Sequence, residues 1–352
     1  INMGVDAFRD SLYAMLKRNT FLNIKFENML DTLGEMSRTD LYSYLKEWEQ
    51  LTPLPFYSIG EPELTKVVNK GGEEFFVLKV LVSNNSDYDG IIQMNVLQNG
   101  WWYQPMEDPR ARKKVEIAAH TSKEFVSVWE EQIRDVEINT MVSGNLPYMI
   151  RQSIGNVKQE RNKIVKDTIY TLPESSLEMP GEVIVDNEDS TLFVLSTPAV
   201  VGLLPKWLDK VEDTSFKYSG ISWWRAPLQW TATTNAKYYG KYIRSAYVIK
   251  SGDGSQTATW KIPVPEAGQY ELYYHVFKDD ELRWNDRLQG EYHFRVAYDS
   301  EMEDAYINLR KANEGWEQLG TYYFSADTVR VVLTDECKLR SVTADAVKIV
   351  KR

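Results

Sequence analysis

Cysteine is almost absent. Cys337 is the single one in 352 residues, so the chain can form no internal disulfide and no cysteine-ligated metal centre. Histidine is nearly as scarce: only His120, His275 and His293 occur, and none stands four residues from another. That excludes the His-Glu-x-x-His helix face on which zinc peptidases hold their metal. No apolar run reaches the roughly eighteen residues that a membrane-crossing helix needs. Basic charge is in deficit, with 41 Lys plus Arg against 51 Asp plus Glu and a net charge of −10, which disfavours nucleic acid or an anionic membrane as partner. A Gly-x-Ser-x-Gly elbow is missing, and with it the usual setting of a serine hydrolase. No signal peptide is visible either. The chain opens at Ile1 in a segment that already reads as helix, so the expectation is an excised portion of a longer polypeptide whose targeting signal lies upstream.

What is present is mostly strand. Near the end, Val329, Val331 and Leu333 alternate with polar residues, and Val347 with Ile349 repeats the pattern. A two-residue period marks strands with one buried face. The same grammar runs through Ala258, Trp260 and Ile262, through Leu272, Tyr274 and Val276, and through Tyr292, Phe294 and Val296. Gly252-Asp253-Gly254 and Pro265-Glu266-Ala267-Gly268 supply the turns between them.

The front of the chain has a different period. Asp6 to Asn19 places Phe8, Leu12, Met15 and Leu16 on one helical face, and Ile24 to Leu33 does so with Phe26, Leu30 and Leu33 before Gly34. Thr39 caps a third helix whose stripe is Leu41, Tyr44, Leu45 and Trp48, stopped by Pro53 and Pro55. Three such helices bury little area by themselves, so they are expected to complete a larger helical body. Phe76, Leu78, Val80 and Val82, a turn at 84–90, and Ile92, Met94 and Val96 then read as a hairpin. Further strands are expected around Val115, Val126 and Val136, and the unit has the length of an immunoglobulin-like sandwich.

Two family resemblances rest on these residues. Asp186-Asn187, Tyr239-Gly240, Ala258-Thr259-Trp260, Gly268-Gln269-Tyr270-Glu271, Gly315-Trp316-Glu317-Gln318-Leu319-Gly320 and Ala344-Asp345-Ala346-Val347 resemble the golvesin C-terminal or xanthan-lyase carbohydrate-binding-like domain, over about 180–352. That resemblance implies a non-catalytic, jelly-roll-like accessory module of secreted bacterial hydrolases and lyases, with sugar binding expected. Phe26-Glu27-Asn28-Met29-Leu30, the run 39–48 and Leu54-Pro55-Phe56-Tyr57 resemble the end of the catalytic domain of M1-family (gluzincin) aminopeptidases, over about 5–180. The family's zinc ligands transfer onto no residue here, so the resemblance implies that the catalytic part lies upstream.

The expected architecture is therefore multi-domain and mostly β. A helical segment at 1–60 leads to an immunoglobulin-like β-sandwich at 61–178 and a jelly-roll-like β-sandwich at 179–352. No catalytic residue, cofactor or metal site is indicated. Two histidines without a third ligand rarely make a site, and Asp186, Glu188 and Asp189 read as a solvated turn, with Asp213, Asp253 and Asp345 as turn or capping groups. Aromatic residues stand out instead. Seven of 11 Trp and thirteen of 21 Tyr follow residue 180. Trp260, Tyr274, Phe294 and Trp316 sit where burial is natural, whereas Trp223, Trp224 and Trp230 flank Pro and Arg, and consecutive Trp cannot both face one side of a sheet. With Trp284 in a second loop they are the carbohydrate-binding candidates; packing of the long segment before them is the plainer reading, and Trp101-Trp102-Tyr103 suits a contact with the neighbouring domain. The function expected is that of a secreted or cell-surface accessory region. It would position an upstream zinc peptidase-like domain and hold a polysaccharide or glycoprotein. The alternatives are the carbohydrate-binding accessory of a polysaccharide lyase or glycosidase, and a scaffold without ligand.

Overall fold

A computed structural model describes residues 5–19, 25–37, 54–98, 108–154, 157–161, 165–174, 177, 181–196, 217–221, 225–278, 290–299 and 301–352. The chain divides into two compact units, Ile1–Leu54 and Pro55–Arg352. In the first, α1 (Val5–Arg18) carries Asp6 in its opening turn and Lys17 and Arg18 in its last, the charge order that complements a helix dipole. It packs on α2 (Phe26–Ser37) through Ser11, Met15, Leu30 and Leu33, all buried. The expected stripe is thus narrower than its spacing suggests, because Phe8, Leu16 and Phe26 are exposed. Gly34 does not end α2 either. It is buried inside the helix, where a glycine costs about 1 kcal/mol without stopping propagation. The expected helix at 39–48 lies outside the described residues.

The second unit is built almost wholly of strands and, among the described residues, holds two large apolar cores and a small cluster of Val67, Val77 and Val126. The first core lies between two sheets. One has the order β10-β6-β3-β2-β9, with β1 on β3; the other runs β5-β4-β7-β8. These strands are β1 (Tyr57–Ile59), β2 (Glu63–Val68), β3 (Glu74–Asn84), β4 (Gly90–Gln98), β5 (Arg112–Ile117), β6 (Thr121–Trp129), β7 (Ile133–Asn139), β8 (Met149–Ser153), β9 (Val157–Arg161) and β10 (Thr168–Pro173). Alternation decides what faces inward: Leu78, Val80 and Val82 from β3 meet Ile92, Met94 and Val96 from β4, with Phe125, Trp129, Val136 and Ile138 completing the core. The two runs expected to pair as a hairpin do not pair. β3 bonds β6 and β2, whereas β4 bonds β5 and β7. The reason lies in Asn84, whose buried amide donates to the carbonyls of Tyr88 (2.7 Å) and Ile117 (3.1 Å) and so turns the chain across from one sheet to the other.

The second core is formed by β11 (Glu182–Val185), β12 (Phe193–Leu195), β13 (Thr231–Thr234), β14 (Ser245–Lys250), β15 (Thr257–Pro263), β16 (Gly268–Val276), β17 (Glu291–Tyr298), β18 (Glu301–Asn308), β19 (Gly315–Phe324), β20 (Thr328–Thr334), β21 (Ser341–Ala344) and β22 (Val347–Lys351). A sheet ordered β11-β22-β16-β19 faces one ordered β12-β15-β20-β17-β18, and β13-β14-β21 closes the side. Trp260 is wholly buried between them and donates its indole N–H to the Asp345 carbonyl at 3.2 Å. Tyr274, Phe294, Val296, Val331, Leu333, Val347 and Ile349 fill the rest, in the phase their sequence alternation requires.

A short stitch joins the two cores. The Asn145 amide brackets Tyr57, accepting from its N–H at 2.9 Å and donating to its carbonyl at 2.8 Å, and also donates to the Tyr242 carbonyl at 3.3 Å. Leu146 N–H donates to the same carbonyl at 3.0 Å, and Arg244 N–H returns to the Leu146 carbonyl at 2.6 Å. Phe56 packs its ring on Tyr242 at 5.3 Å.

Candidate functional site

The sheet ordered β11-β22-β16-β19 buries Leu272, Tyr274, Val276, Val347 and Ile349 on one face, so the residues between them must point the other way. Register sets Tyr273 opposite Lys348 on one side and Gln318 on the other, with His275 opposite Trp316. The outcome is an aromatic and polar outer face. The Lys348 ammonium lies 4.8 Å from the centre of the Trp316 ring and 5.4 Å from that of Tyr273, a cation held over two π faces. It donates to Glu182 at 2.9 Å. The Tyr273 hydroxyl donates to Glu271 at 2.6 Å, and Arg352 grips the same carboxylate at 2.7 and 2.8 Å. Trp316 meets the His275 ring nearly at right angles, 5.1 Å between centres, and the Tyr239 ring at 5.0 Å.

This face rests on a buried carboxylate. Asp345 is wholly buried, accepts from His275 Nδ1 at 2.8 Å and takes the Tyr239 N–H on both oxygens at 3.1 and 3.2 Å. The two groups flanking Trp316 therefore share one anchor. Burial raises the Asp345 pKa, and His275, the Tyr239 N–H and the Arg244 guanidinium pull the other way. Asp186 is pushed well above the ordinary carboxylate range, first by burial and then by the charge of Asp345, with the Asn187 N–H opposing at 2.7 Å. Burial brings Arg244 down to about 10, against the pull of Asp345. Asn187 and the Ser245 hydroxyl bond each other at 2.7 Å, and Glu188 accepts from Ser245, from Lys217 at 2.5 Å and from Tyr218 at 3.0 Å.

Gly240 is required where it stands. Its φ is +151°, and a Cβ there would overlap the Ile243 carbonyl, so the turn that delivers Tyr239 to Asp345 admits no side chain. Gly240→Ala is expected to destabilise the full chain by about 1–3 kcal/mol in urea unfolding. A variant as stable as wild type would show that the turn relaxes freely.

Several sequence expectations meet these facts. Asp345, read as a turn or capping group, is a buried charge bonded to a histidine. Asp186, read as part of a solvated turn, is half-buried, and its carboxyl is pushed above the ordinary range by burial and by Asp345. Trp316, read as core, is only half-buried and lies on the outer face. Its signal was available in the phase of β16: with Leu272, Tyr274 and Val276 inward, His275 and its cross-strand partner must lie outward. Of the four tryptophans expected to meet sugar, Trp223, Trp224 and Trp284 lie outside the described residues, as do Trp101, Trp102 and Tyr103. Trp230 is described, and it packs half-buried against the second core; among the described residues its buried indole N–H has no acceptor. His293 stacks on Tyr306 at 4.9 Å and bonds Asp304 at 2.8 Å, and His120 lies between Asp87 and Glu174. Among the described residues no three His, Cys, Asp or Glu side chains are placed to hold a metal, and no helix is long and apolar enough to cross a membrane.

Tyr239-Gly240, Gly315-Trp316 and Asp345 thus come from three separate stretches of the second core and meet at one place. Residues 223–351 match the golvesin C-terminal domain. The matched segment therefore includes His275, Trp316, Lys348 and Asp345, while Glu182 comes from β11 and Asp186 directly follows that strand. Comparison with curated proteins yields no match. Among solved structures, similarity extends to a β-(1,4)-mannanase of Podospora anserina with a CBM35 module at 10% identity and TM-score 0.23, over 36% of this chain and 27% of that one. A β-glucuronidase of Bacteroides uniformis aligns at 10% identity and TM-score 0.24, over 90% of this chain and 32% of the enzyme. An exo-β-1,3-galactanase of Phanerochaete chrysosporium aligns at 7% identity and TM-score 0.28, over 82% and 68%. The chain thus spans about a third or less of the first two proteins.

Proposed function

We propose that this chain is a carbohydrate-binding accessory region, secreted or displayed at the cell surface, and that its ligand lies on the outer face of β22-β16-β19. The observation that carries the reading is the pairing of two half-buried rings, Trp316 and Tyr273, with fixed hydrogen-bonding groups on one flat face of the golvesin-type segment. A pyranose ring offers an apolar C–H face and a rim of hydroxyls. The aromatic surfaces suit the first, and Glu182, Glu271, Lys348 and Gln318 suit the second. The division at 1–60, 61–178 and 179–352 into a helical segment, an immunoglobulin-like and a jelly-roll-like sandwich belongs to this proposal. So does an upstream catalytic part, which the gluzincin resemblance of residues 5–180 would make a zinc peptidase; a reading frame that shows no His-Glu-x-x-His upstream removes that part alone.

The test is affinity electrophoresis of the full chain against a panel of polysaccharides. Trp316→Ala is expected to weaken retardation at least about tenfold while leaving the melting temperature within a few degrees, because a central aromatic contact carries a large share of such an interface. Trp224→Ala, run in parallel, probes the candidate expected from sequence. Retardation that survives Trp316→Ala and is lost in Trp224→Ala would move the ligand off this face. No retardation on any polymer would leave a scaffold.

A further inference from the structure

We infer that this face selects neutral glycan chains and rejects acidic ones, a step that rests on the carbohydrate reading above. The argument comes from how its cations are committed. Lys348 is 13% exposed and Glu182 18%, with 2.9 Å between Nζ and Oε1, and two aromatic rings stand over the ammonium. Arg352 spends its Nε and Nη2 on Glu271, whose other oxygen holds the Tyr273 hydroxyl. His275 turns Nδ1 inward to Asp345. Below the face lies the buried carboxyl of Asp345, bonded to His275, and the whole chain carries a net charge of −10.

A uronate or sulfate reaching Trp316 meets Lys348 already paired with Glu182 and Arg352 already paired with Glu271, so it must either displace a carboxylate from its cation or sit beside the charge of both. Leaving a half-buried charge without its partner is the kind of mismatch by which sites reject a competitor. A neutral pyranose makes no such demand. Its hydroxyls can donate to Glu182 and Glu271 while both remain paired, and its C–H face meets the rings without desolvating a charge. Selection by charge on this face is therefore set by its carboxylates, with Glu182 the one that occupies the central ammonium.

The experiment compares the full chain, Glu182→Gln and Trp316→Ala on gels containing neutral polymers (galactomannan, hydroxyethyl cellulose, a β-1,3-glucan) and acidic ones (polygalacturonate, alginate, chondroitin sulfate) at matched concentration and salt. Wild type is expected to be retarded by at least one neutral polymer and by no acidic one, with the retardation lost in Trp316→Ala. Glu182→Gln, which frees the Lys348 ammonium, is expected to gain affinity for an acidic polymer on the order of tenfold. Trp316-dependent retention of wild type on an acidic polymer, at least as strong as on the neutral ones, overturns the inference while the carbohydrate reading stands. A Glu182→Gln chain that gains nothing on acidic polymers also overturns it. Absence of retardation on all six removes the carbohydrate reading and the inference together.

Discussion

Asp345→Ala is expected to lower the unfolding free energy of the chain by about 3–5 kcal/mol, read from urea denaturation at neutral pH. The size follows from what the carboxylate holds. Two groups bond it directly, the His275 ring and the Tyr239 N–H, and the Arg244 guanidinium acts on it through its charge. Removing the shared acceptor leaves the Tyr239 N–H and the inward ring nitrogen of His275 without their bonding partner and takes away the negative charge that acts on Arg244, and each lost partner carries a desolvation cost. Asp345→Asn should be milder, since an amide oxygen can still accept from Tyr239. A loss below about 1 kcal/mol for the alanine variant would mean that water fills the place of the carboxylate and that the site is not built around it.

Asp186→Asn should act in the opposite direction at neutral pH. Burial, and then the charge of Asp345, raise the folded-state pKa of Asp186 well above the ordinary range of a free carboxyl, so between the unfolded and the folded value the native chain keeps a proton that the unfolded chain has released. The stability tied to that proton is fully present below about pH 4 and is lost as pH rises through the native value, at up to about 1.4 kcal/mol per pH unit for one proton. Asparagine mimics the protonated acid and does not titrate. The variant should therefore match wild type near pH 4 and exceed it increasingly toward pH 7, in urea unfolding measured at intervals of one unit. Parallel stability curves for the two proteins would show that Asp186 titrates normally.

Which parts of this structure could be read in the sequence depended on how local their causes are. The period-two runs at Val329 to Leu333 and Leu272 to Val276 became strands with the expected inward residues, because alternation is a property of neighbours. Partner choice is not. Phe76 to Val82 and Ile92 to Val96 are strands, yet a single asparagine amide at position 84 sends them to different sheets, and no periodicity reports that. The buried charge was further from view. Ala344-Asp345-Ala346 looks like a polar turn until His275 and Tyr239, 70 and 106 residues away in sequence, are brought against it. Trp316 turns outward for a reason of the same kind. A lone strand has two faces, and only β16 beside it fixes which one meets water.

The stitch through Asn145 and Leu146 sets a lower limit on the length of a fragment that keeps the proposed ligand face intact. A polypeptide begun at residue 179 would contain every residue of the proposed ligand face, yet it would present the Tyr242 carbonyl and the Arg244 amide to solvent, beside the guanidinium that bonds the Ala236 carbonyl. The loop that carries Tyr239 would then be fastened at one end only. Ligand affinity should accordingly fall in such a fragment even though no contact residue has been removed, and the shortest form that retains it begins near Pro55.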